Sequence, residues 1–319
     1  MIDVFIGPAL LAGIGQQLVK YKELFPKSTY LEATNVGNLE PGKNVMIYTL
    51  PCEPWFSIIP HIKRISKNVL CMTICETETV HEAYGKLFDF FDIIYTSSTF
   101  CRKVFSNQFP NKEFRIIHAH VPLPPQIKSS NRLGIPEGKY IFYHIGNILD
   151  QRKNVSQIIR SFIKLNLENS FLVLKATCKQ PVHYEHPNIK IINDLLPQMV
   201  IDRIHDICDC YVTFSNSEGI GMGAVEAAMR DKPVILPDYG GAPDYIQSKY
   251  MITCERQEVP RDDFLFKKGM LWGKPDVGQL EKFMKECWSE NIRHTDHSFT
   301  RKVVSAGNIL TEFGQFSGS

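Results

Sequence analysis

Short apolar runs alternate with amphipathic stretches from one end of the 319-residue chain to the other. In the first half the runs Ile2–Ile6, Thr29–Glu32, Asn44–Leu50, Val69–Ile74, Ile93–Thr96 and Arg115–His118 are bounded by Gly, Pro, Asn or charge. Most are nearly continuous in apolar residues, as strands covered on both faces are. The second half repeats the pattern with Tyr140–Ile145, Phe171–Leu174, Ile189–Ile192, Tyr211–Phe214, Pro233–Leu236 and Met251–Thr253. Helices are predicted between them at Ile14–Leu24, Val155–Leu165, Gln198–Cys208, Gly223–Arg230 and Asp244–Gln247. In the first, Gln16, Lys20 and Glu23 mark one side while Leu18, Val19 and Leu24 contribute to the other. Strands alternating with helices predict α/β architecture with parallel sheets.

The rhythm breaks once, over Val121–Gly138, where Pro122, Pro124, Pro125 and Pro136 surround Ser129, Ser130 and Asn131. This stretch reads as a linker, which predicts one Rossmann-like domain over 1–124, a connection over 125–138 and a second domain over 139–319. A helix near 298–314 is expected to pack back on the first domain. Open parallel sheets bind ligands beyond the C-terminal ends of their strands, so a cleft between two facing sheets is the expected ligand site.

Composition narrows the function classes. Hydrophobic residues make up 44% of the chain, enough for two cores, and 36 Lys+Arg against 34 Asp+Glu leave a formal +2. No global field therefore draws the protein to nucleic acid. The nine cysteines are odd in number and scattered, with several inside apolar runs. That suits reduced thiols in an intracellular protein better than a disulfide framework. Val4–Gly15 is apolar, but Asp3, Pro8 and three glycines make it a strand and loop rather than a secretory leader. No run reaches the ~18–20 apolar residues of a membrane span, so a soluble, cytoplasmic chain is expected.

Chemistry concentrates in Tyr211–Met229, which reads as a buried strand, a polar turn, a glycine-rich loop and a helix start. Gly219, Gly221 and Gly223 would let backbone N–H groups approach an anion at the helix's positive end. Glu218 and Glu226 bracket the loop. Eight helical positions would span ~12 Å at about 1.5 Å each, a reach suited to two polyhydroxylated rings flanking a diphosphate. Carboxylates accept paired hydrogen bonds from vicinal hydroxyls. The plain alternative is a glycine-rich turn with Glu226 as a solvated helix residue.

The stretch resembles the E-x7-E signature of the retaining glycosyltransferases of family 4, which have the GT-B fold of two facing Rossmann-like domains. Ser215, Glu218, Gly219, Gly221, Glu226, Ala227 and Met229 match the usual form. The resemblance implies that Glu218 contacts the transferred sugar and Glu226 the nucleotide ribose, with Gly219, Ile220, Gly221, Met222 and Gly223 around the donor. His144–Asn154 resembles the family's diphosphate loop, with Asn147 and the Arg152–Lys153 pair aligned on its motif, though it is one residue longer and lacks the proline. Guanidinium and ammonium groups suit phosphate oxygens. Gly13 and Gly15 resemble the glycine loop after the first strand, which approaches the donor phosphate, with Gln16 in place of the common Arg.

Weaker likenesses follow. Gly240-Gly241-Ala-Pro-Asp244 resembles a loop that shapes the cleft floor, and Trp272-Gly-Lys-Pro275-Asp276 resembles an architectural stretch. Cys75–His81 resembles the "W-E-T" segment of some members, which makes Glu76 and His81 candidates for acceptor orientation. His118 and His120 are expected to pack or bond locally. Trp55–Lys67 sets apolar bulk beside three cations and reads as an amphipathic surface helix interrupted at Pro60, or as a contact for anionic lipid headgroups. No DxD-type metal site stands out.

The resemblance implies a hexosyltransferase acting with retention of anomeric configuration. Its partners would be a nucleoside-diphosphate sugar, with GDP-mannose suggested by the Asn147/Arg152-Lys153-Asn154 variant, and a glycan, lipid-linked or other hydroxyl acceptor. No cofactor or essential metal is expected, and the protein would be cytoplasmic or peripheral at the membrane face. The alternatives are a non-catalytic nucleotide-sugar-binding module and a nucleotide-sugar 2-epimerase on the same fold.

Overall fold

The structure, a computed structural model, describes residues 2–9, 13–125, 131–178, 180–194 and 196–314. Part of the linker reading, 126–130, lies outside the described residues.

The chain forms two compact units. The first comprises Met1–Pro122, Glu258–Leu271 and Lys302–Ser319, the second Leu123–Gln257 and Trp272–Arg301. In the first unit the elements run β1 (Val4–Gly7), α1 (Gly13–Glu23), β2 (Thr29–Glu32), β3 (Asn44–Tyr48), α2 (Glu53–Ile65), β4 (Asn68–Met72), α3 (Ala83–Phe88), β5 (Ile93–Thr96), α4 (Thr99–Gln108) and β6 (Glu113–Ile116). The strands pair in parallel in the order β2-β1-β3-β4-β5-β6. Strand alternation explains their unbroken apolar runs. Val4, Ile6, Val45 and Ile47 enter one core with Trp55 and Phe105, while Phe5, Met46 and Tyr48 enter another with Leu18 and Tyr21.

The second unit holds β7 (Tyr140–Gly146), α5 (Val155–Leu165), β8 (Ser170–Ala176), β9 (Ile189–Ile192), α6 (Gln198–Ile207), β10 (Cys210–Val212), α7 (Met222–Ala228), β11 (Val234–Pro237) and β12 (Met251–Ile252). Its six strands are parallel in the order β12-β11-β10-β7-β8-β9. A two-stranded ribbon of β13 (Cys254–Glu258) and β14 (Leu271–Pro275) follows, then α8 (Val277–Ser289). Val155, Ile158 and Phe162 of α5 and Leu280 and Met284 of α8 cover one face of the sheet through Phe142, Leu172 and Leu174.

Two short helices follow, α9 (Ser298–Val303) and α10 (Ala306–Gly314). Ile309 and Phe313 of α10 belong to the core around Phe5 and Tyr21 in the first unit. His118 and His120, expected to bond locally, instead hold this end in place. His118 pairs through Nδ1 with Glu312 Oε1 at 2.6 Å, and His120 Nδ1 reaches the Val304 carbonyl at 2.9 Å.

All twelve strands appear near their predicted places. Two helix expectations are corrected. Helix α2 runs unbroken through Pro60, which lies on its exposed side, where the carbonyl left without an N–H partner can be hydrated. Trp55, Ile59 and Ile62 of that helix are buried, and Lys63 donates to the Phe90 carbonyl. The predicted helix at Asp244–Gln247 is only a single 3-10 turn over Ala242–Asp244. All nine cysteines are free thiols. Among the described residues no helix is long and apolar enough to cross a membrane.

Candidate active site

The site is built from two loops of the second unit. Strand β7 ends at Gly146, and Asn147 opens a tight turn in which its carbonyl accepts from Asp150 N at 3.1 Å and its Oδ1 from Leu149 N at 3.2 Å. Asp150 then caps the 3-10 turn Gln151–Lys153 by accepting from Arg152 N at 2.8 Å. Asn154 takes a left-handed conformation, φ 48°, and starts α5. The turn sends two adjacent cations, Arg152 and Lys153, toward the end of β10.

From β10 the chain runs through a loop whose residues 213–220 are all buried. Backbone bonds pin it on three sides. Asn216 N donates to Arg152 O at 2.8 Å, Gly241 N to Glu218 O at 2.7 Å and Gly273 N to Asn216 O at 2.9 Å. The Gly240–Gly241 and Trp272–Gly273 stretches are therefore supports for the Glu218 loop. Gly240 has φ +78°, and a Cβ there would come within 2.7 Å of the Glu218 carbonyl. Gly221, at φ +83°, turns the chain into α7.

These supports place Glu218 against both cations. Its Oε2 lies 3.0 Å from Arg152 Nη1 and its Oε1 2.5 Å from Lys153 Nζ. Arg152 Nη1 also donates to the Ser217 carbonyl at 2.5 Å, and Nη2 approaches Asp150 Oδ2 at 3.4 Å. Burial would raise the Glu218 pKa, but Lys153 and Arg152 outweigh it and hold the carboxyl well below the usual carboxylate range. Glu218 is thus a fixed anion. Among the described residues Lys153 spends one of its three N–H donors on it, leaving two for another acceptor.

Glu226 is not the solvated helix residue of the plain alternative. Its side chain is 14% exposed, and Oε2 lies 3.6 Å from Nε2 of the buried His205. His205 in turn bonds through Nδ1 to the Tyr143 hydroxyl at 2.8 Å and stacks on Tyr211. The second unit therefore gathers Arg152, Lys153 and Glu218 in direct contact. Asn147, Gly219, Ile220, Gly221, Met222, Gly223 and Glu226 belong to the two loops and helix around them.

The remaining candidates lie in the first unit. Gly13 begins α1 with open space where a side chain would be, whereas a Cβ on Gly15 would meet the Ala9 carbonyl at 2.6 Å. Gly15 thus lies against the chain's own backbone. Glu76 is half-buried near Tyr48 and Tyr84, whose hydroxyls feel its charge. His81 Nδ1 accepts from Ala83 N at 3.1 Å at the start of α3.

Sequence reasoning missed His144 and the role of Asp150. His144 is 1% exposed, and its Nδ1–H donates to Val212 O at 2.9 Å across to β10. Burial, reinforced by Lys153, brings its pKa down to about 4, so it is neutral beneath the cationic loop. Its strand position gave no cue beyond a polar residue in an apolar run. Among the described residues no cluster of three or more His, Cys, Asp or Glu could hold a metal ion.

Comparison with known proteins bears on the fold. No curated protein matches the chain in sequence. The solved structures it resembles include Staphylococcus aureus TarM crystallised with fondaparinux, α-GlcNAc-glycerol and UDP (TM-score 0.56, 11% identity, 86% of this chain). The chain spans only 55% of the TarM chain. Sucrose-phosphate synthase of Thermosynechococcus elongatus (TM-score 0.65, 11% identity) and a UDP-forming α,α-trehalose-phosphate synthase of Burkholderia xenovorans (TM-score 0.67, 9% identity) are each covered to 98%, with 99% of this chain. Residues 125–258, which include Arg152, Lys153 and Glu218, match the family described as glycosyl transferases group 1, and the chain as a whole has the GT-B fold.

Proposed function

We propose that the protein is a glycosyltransferase that moves a hexose from a nucleoside-diphosphate sugar to a hydroxyl acceptor, with retention of configuration. The observation that carries this reading is the Arg152–Lys153–Glu218 cluster, which joins the two loops that the family match contains. The neighbours crystallised with UDP or described as UDP-forming favour uridine over guanosine as the nucleoside.

Breaking a sugar–phosphate bond places negative charge on the departing diphosphate, and catalysis needs preorganised donors where that charge grows. Lys153, with two N–H donors beyond its bond to Glu218, and Arg152 supply them. Glu218, held ionised and immobile, accepts hydroxyl protons of the sugar. Glu226 accepts those of the ribose from its place beside His205. The leaving phosphate oxygen takes the acceptor hydroxyl proton as the new glycosidic bond forms, which requires no separate base. Glu76 and His81 are the proposed acceptor-orienting groups, with a glycan or lipid-linked hydroxyl as the acceptor class and no resident cofactor or metal. The protein would act in the cytoplasm or at the membrane face.

The test is a panel of nucleoside diphosphates and their sugar conjugates, read by thermal shift and then by transfer to carbohydrate acceptors. Bound ligand stabilises by mass action, so a donor at about 100 times its Kd would add about 2.7 kcal/mol. A panel with no stabilising nucleotide and no transfer would refute the proposal.

A further inference from the structure

Lys175 is a buried cation that the mechanism above leaves unused. It stands at the C-terminal end of β8, only 2% exposed. In register it lies between Ile145 of β7 and Ile192 of β9. Leu172 and Leu174 point to the α5 and α8 side of the sheet, so strand alternation puts Lys175 on the opposite face with Val173 and, across in register, Tyr143. Tyr143 is the residue whose hydroxyl bonds to His205, the neighbour of Glu226. Lys175 and Glu226 therefore belong to the same side of the sheet.

The ammonium is poorly satisfied. Nζ donates to the Ala176 carbonyl, its only hydrogen-bond acceptor among the described residues, although an ammonium carries three donors. Leaving buried donors unmet is costly unless a ligand meets them. Burial pushes the Lys175 pKa down, while nearby Cys178 and Asp194 push it up. Thr177, two positions on from Lys175, and Asp194, whose charge the ammonium feels, are both exposed.

Its position relative to the phosphate loop is set by the sheet. Ala176 pairs with Gly146, where that loop begins, and Thr177 N donates to Gly146 O at 2.9 Å. With strands about 4.8 Å apart, β8 lies ~10 Å from β10 across β7. The sheet order thus sets the sugar-side acid after β10, the phosphate cations after β7 and Lys175 on β8, in the sequence sugar, diphosphate, base.

Resting on the reading of this unit as a donor site, we propose that Lys175 selects the nucleobase by donating from Nζ to the exocyclic carbonyl oxygen of a keto base, uracil O4 or guanine O6. Cytosine and adenine carry an amino group at the equivalent position, and an ammonium facing an amino group sets donor against donor. Sites that hydrogen-bond a ligand group discriminate strongly against the analogue lacking it.

Calorimetric titration of the wild-type protein with UDP, CDP, GDP and ADP tests this, since each keto nucleotide has an amino counterpart of the same ring. The wild type should prefer UDP over CDP, and GDP over ADP, by about tenfold or more, the worth of one hydrogen bond to a charged group. Lys175→Met should lose about that factor for the keto bases and leave their counterparts nearly unchanged. If the variant fails to fold, the wild-type preference decides. Binding without keto preference, or a folded Lys175→Met that keeps it, would overturn the assignment of Lys175 alone. Absence of binding by all four nucleotides to the wild type would overturn the donor site itself.

Discussion

Lys153 and Glu218, sixty-five positions apart, meet Nζ to Oε1 at 2.5 Å in a contact that joins the loop after β7 to the loop after β10. On the proposed roles, a cation for the diphosphate and an acid for the sugar are thus mutually oriented before any ligand arrives. Preorganisation of this kind avoids reorganisation cost when charge develops in the reaction.

Removing Lys153 tests the charge role. Lys153→Ala should reduce turnover by about 100-fold or more, the usual cost of one transition-state donor. Its side chain is 18% exposed and Arg152 stays paired with Glu218, so the melting temperature should fall by only a few degrees. Steady-state transfer kinetics beside a thermal melt would decide, and near-wild-type turnover would refute the role.

Removing Glu218 should harm the fold as well. Arg152 is 7% exposed, and Glu218→Ala leaves it without its closest carboxylate. Breaking a buried pair from one side costs about 3–5 kcal/mol. Glu218→Gln keeps the shape and should lose less stability while still losing transfer. Urea denaturation of both variants would show the difference, and equal stability of Ala variant and wild type would contradict the geometry.

Two glycines with matching backbone strain isolate the support under Glu218. Gly240 and Gly42 have φ of +78° and +77°, but only at Gly240 would a Cβ strike the Glu218 carbonyl. Gly42→Ala should cost about 1–2 kcal/mol, the left-handed penalty alone. Gly240→Ala should cost more and weaken nucleotide binding too. Equal losses with intact binding would mean that Gly240 does not set the position of Glu218.

Acid should destabilise the protein earlier than carboxylate protonation requires. Burial lowers the pKa of His120, His144, His205 and His297 below the ordinary 6.5. The unfolded chain therefore binds more protons than the native one as pH falls from 6.5 toward 4. Their neutral burial stabilises fully above 6.5 and less below it. The depressed Glu218 acts at lower pH, stabilising above its unfolded pKa and losing that contribution as pH falls through the folded value. Unfolding free energy measured between pH 7.5 and 4.5 should decline, and a flat profile would refute this.

The C-terminal helix is anchored by aromatic packing. Phe313 meets Tyr21 and Phe25 edge-on at 5.6 and 5.1 Å. Phe313→Ala should destabilise by about 3 kcal/mol and expose residues 306–314 to proteolysis. Resistance unchanged from wild type would show that this packing does not hold α10.

The strands were legible because parallel sheets bury both faces, and an unbroken apolar run such as Val45–Tyr48 is the direct imprint of that burial. Helix ends were read less well. Pro60 predicts a break, but a missing N–H on the exposed side does not end α2. The glycine-rich segment reads as a candidate site because two acids bracket its glycines ahead of a helix start.

What the chain alone determined, then, is the alternation of elements and the acids, cations and glycines from which the proposed donor site is made, since these follow from local periodicity and composition. Only tertiary structure decided that Glu218 is clamped by Arg152 and Lys153, that Gly240 and Gly273 prop its loop, and that His118 grips Glu312 near the opposite end of the chain. Those contacts join residues far apart in sequence, where no local pattern of hydrophobicity or charge records the pairing.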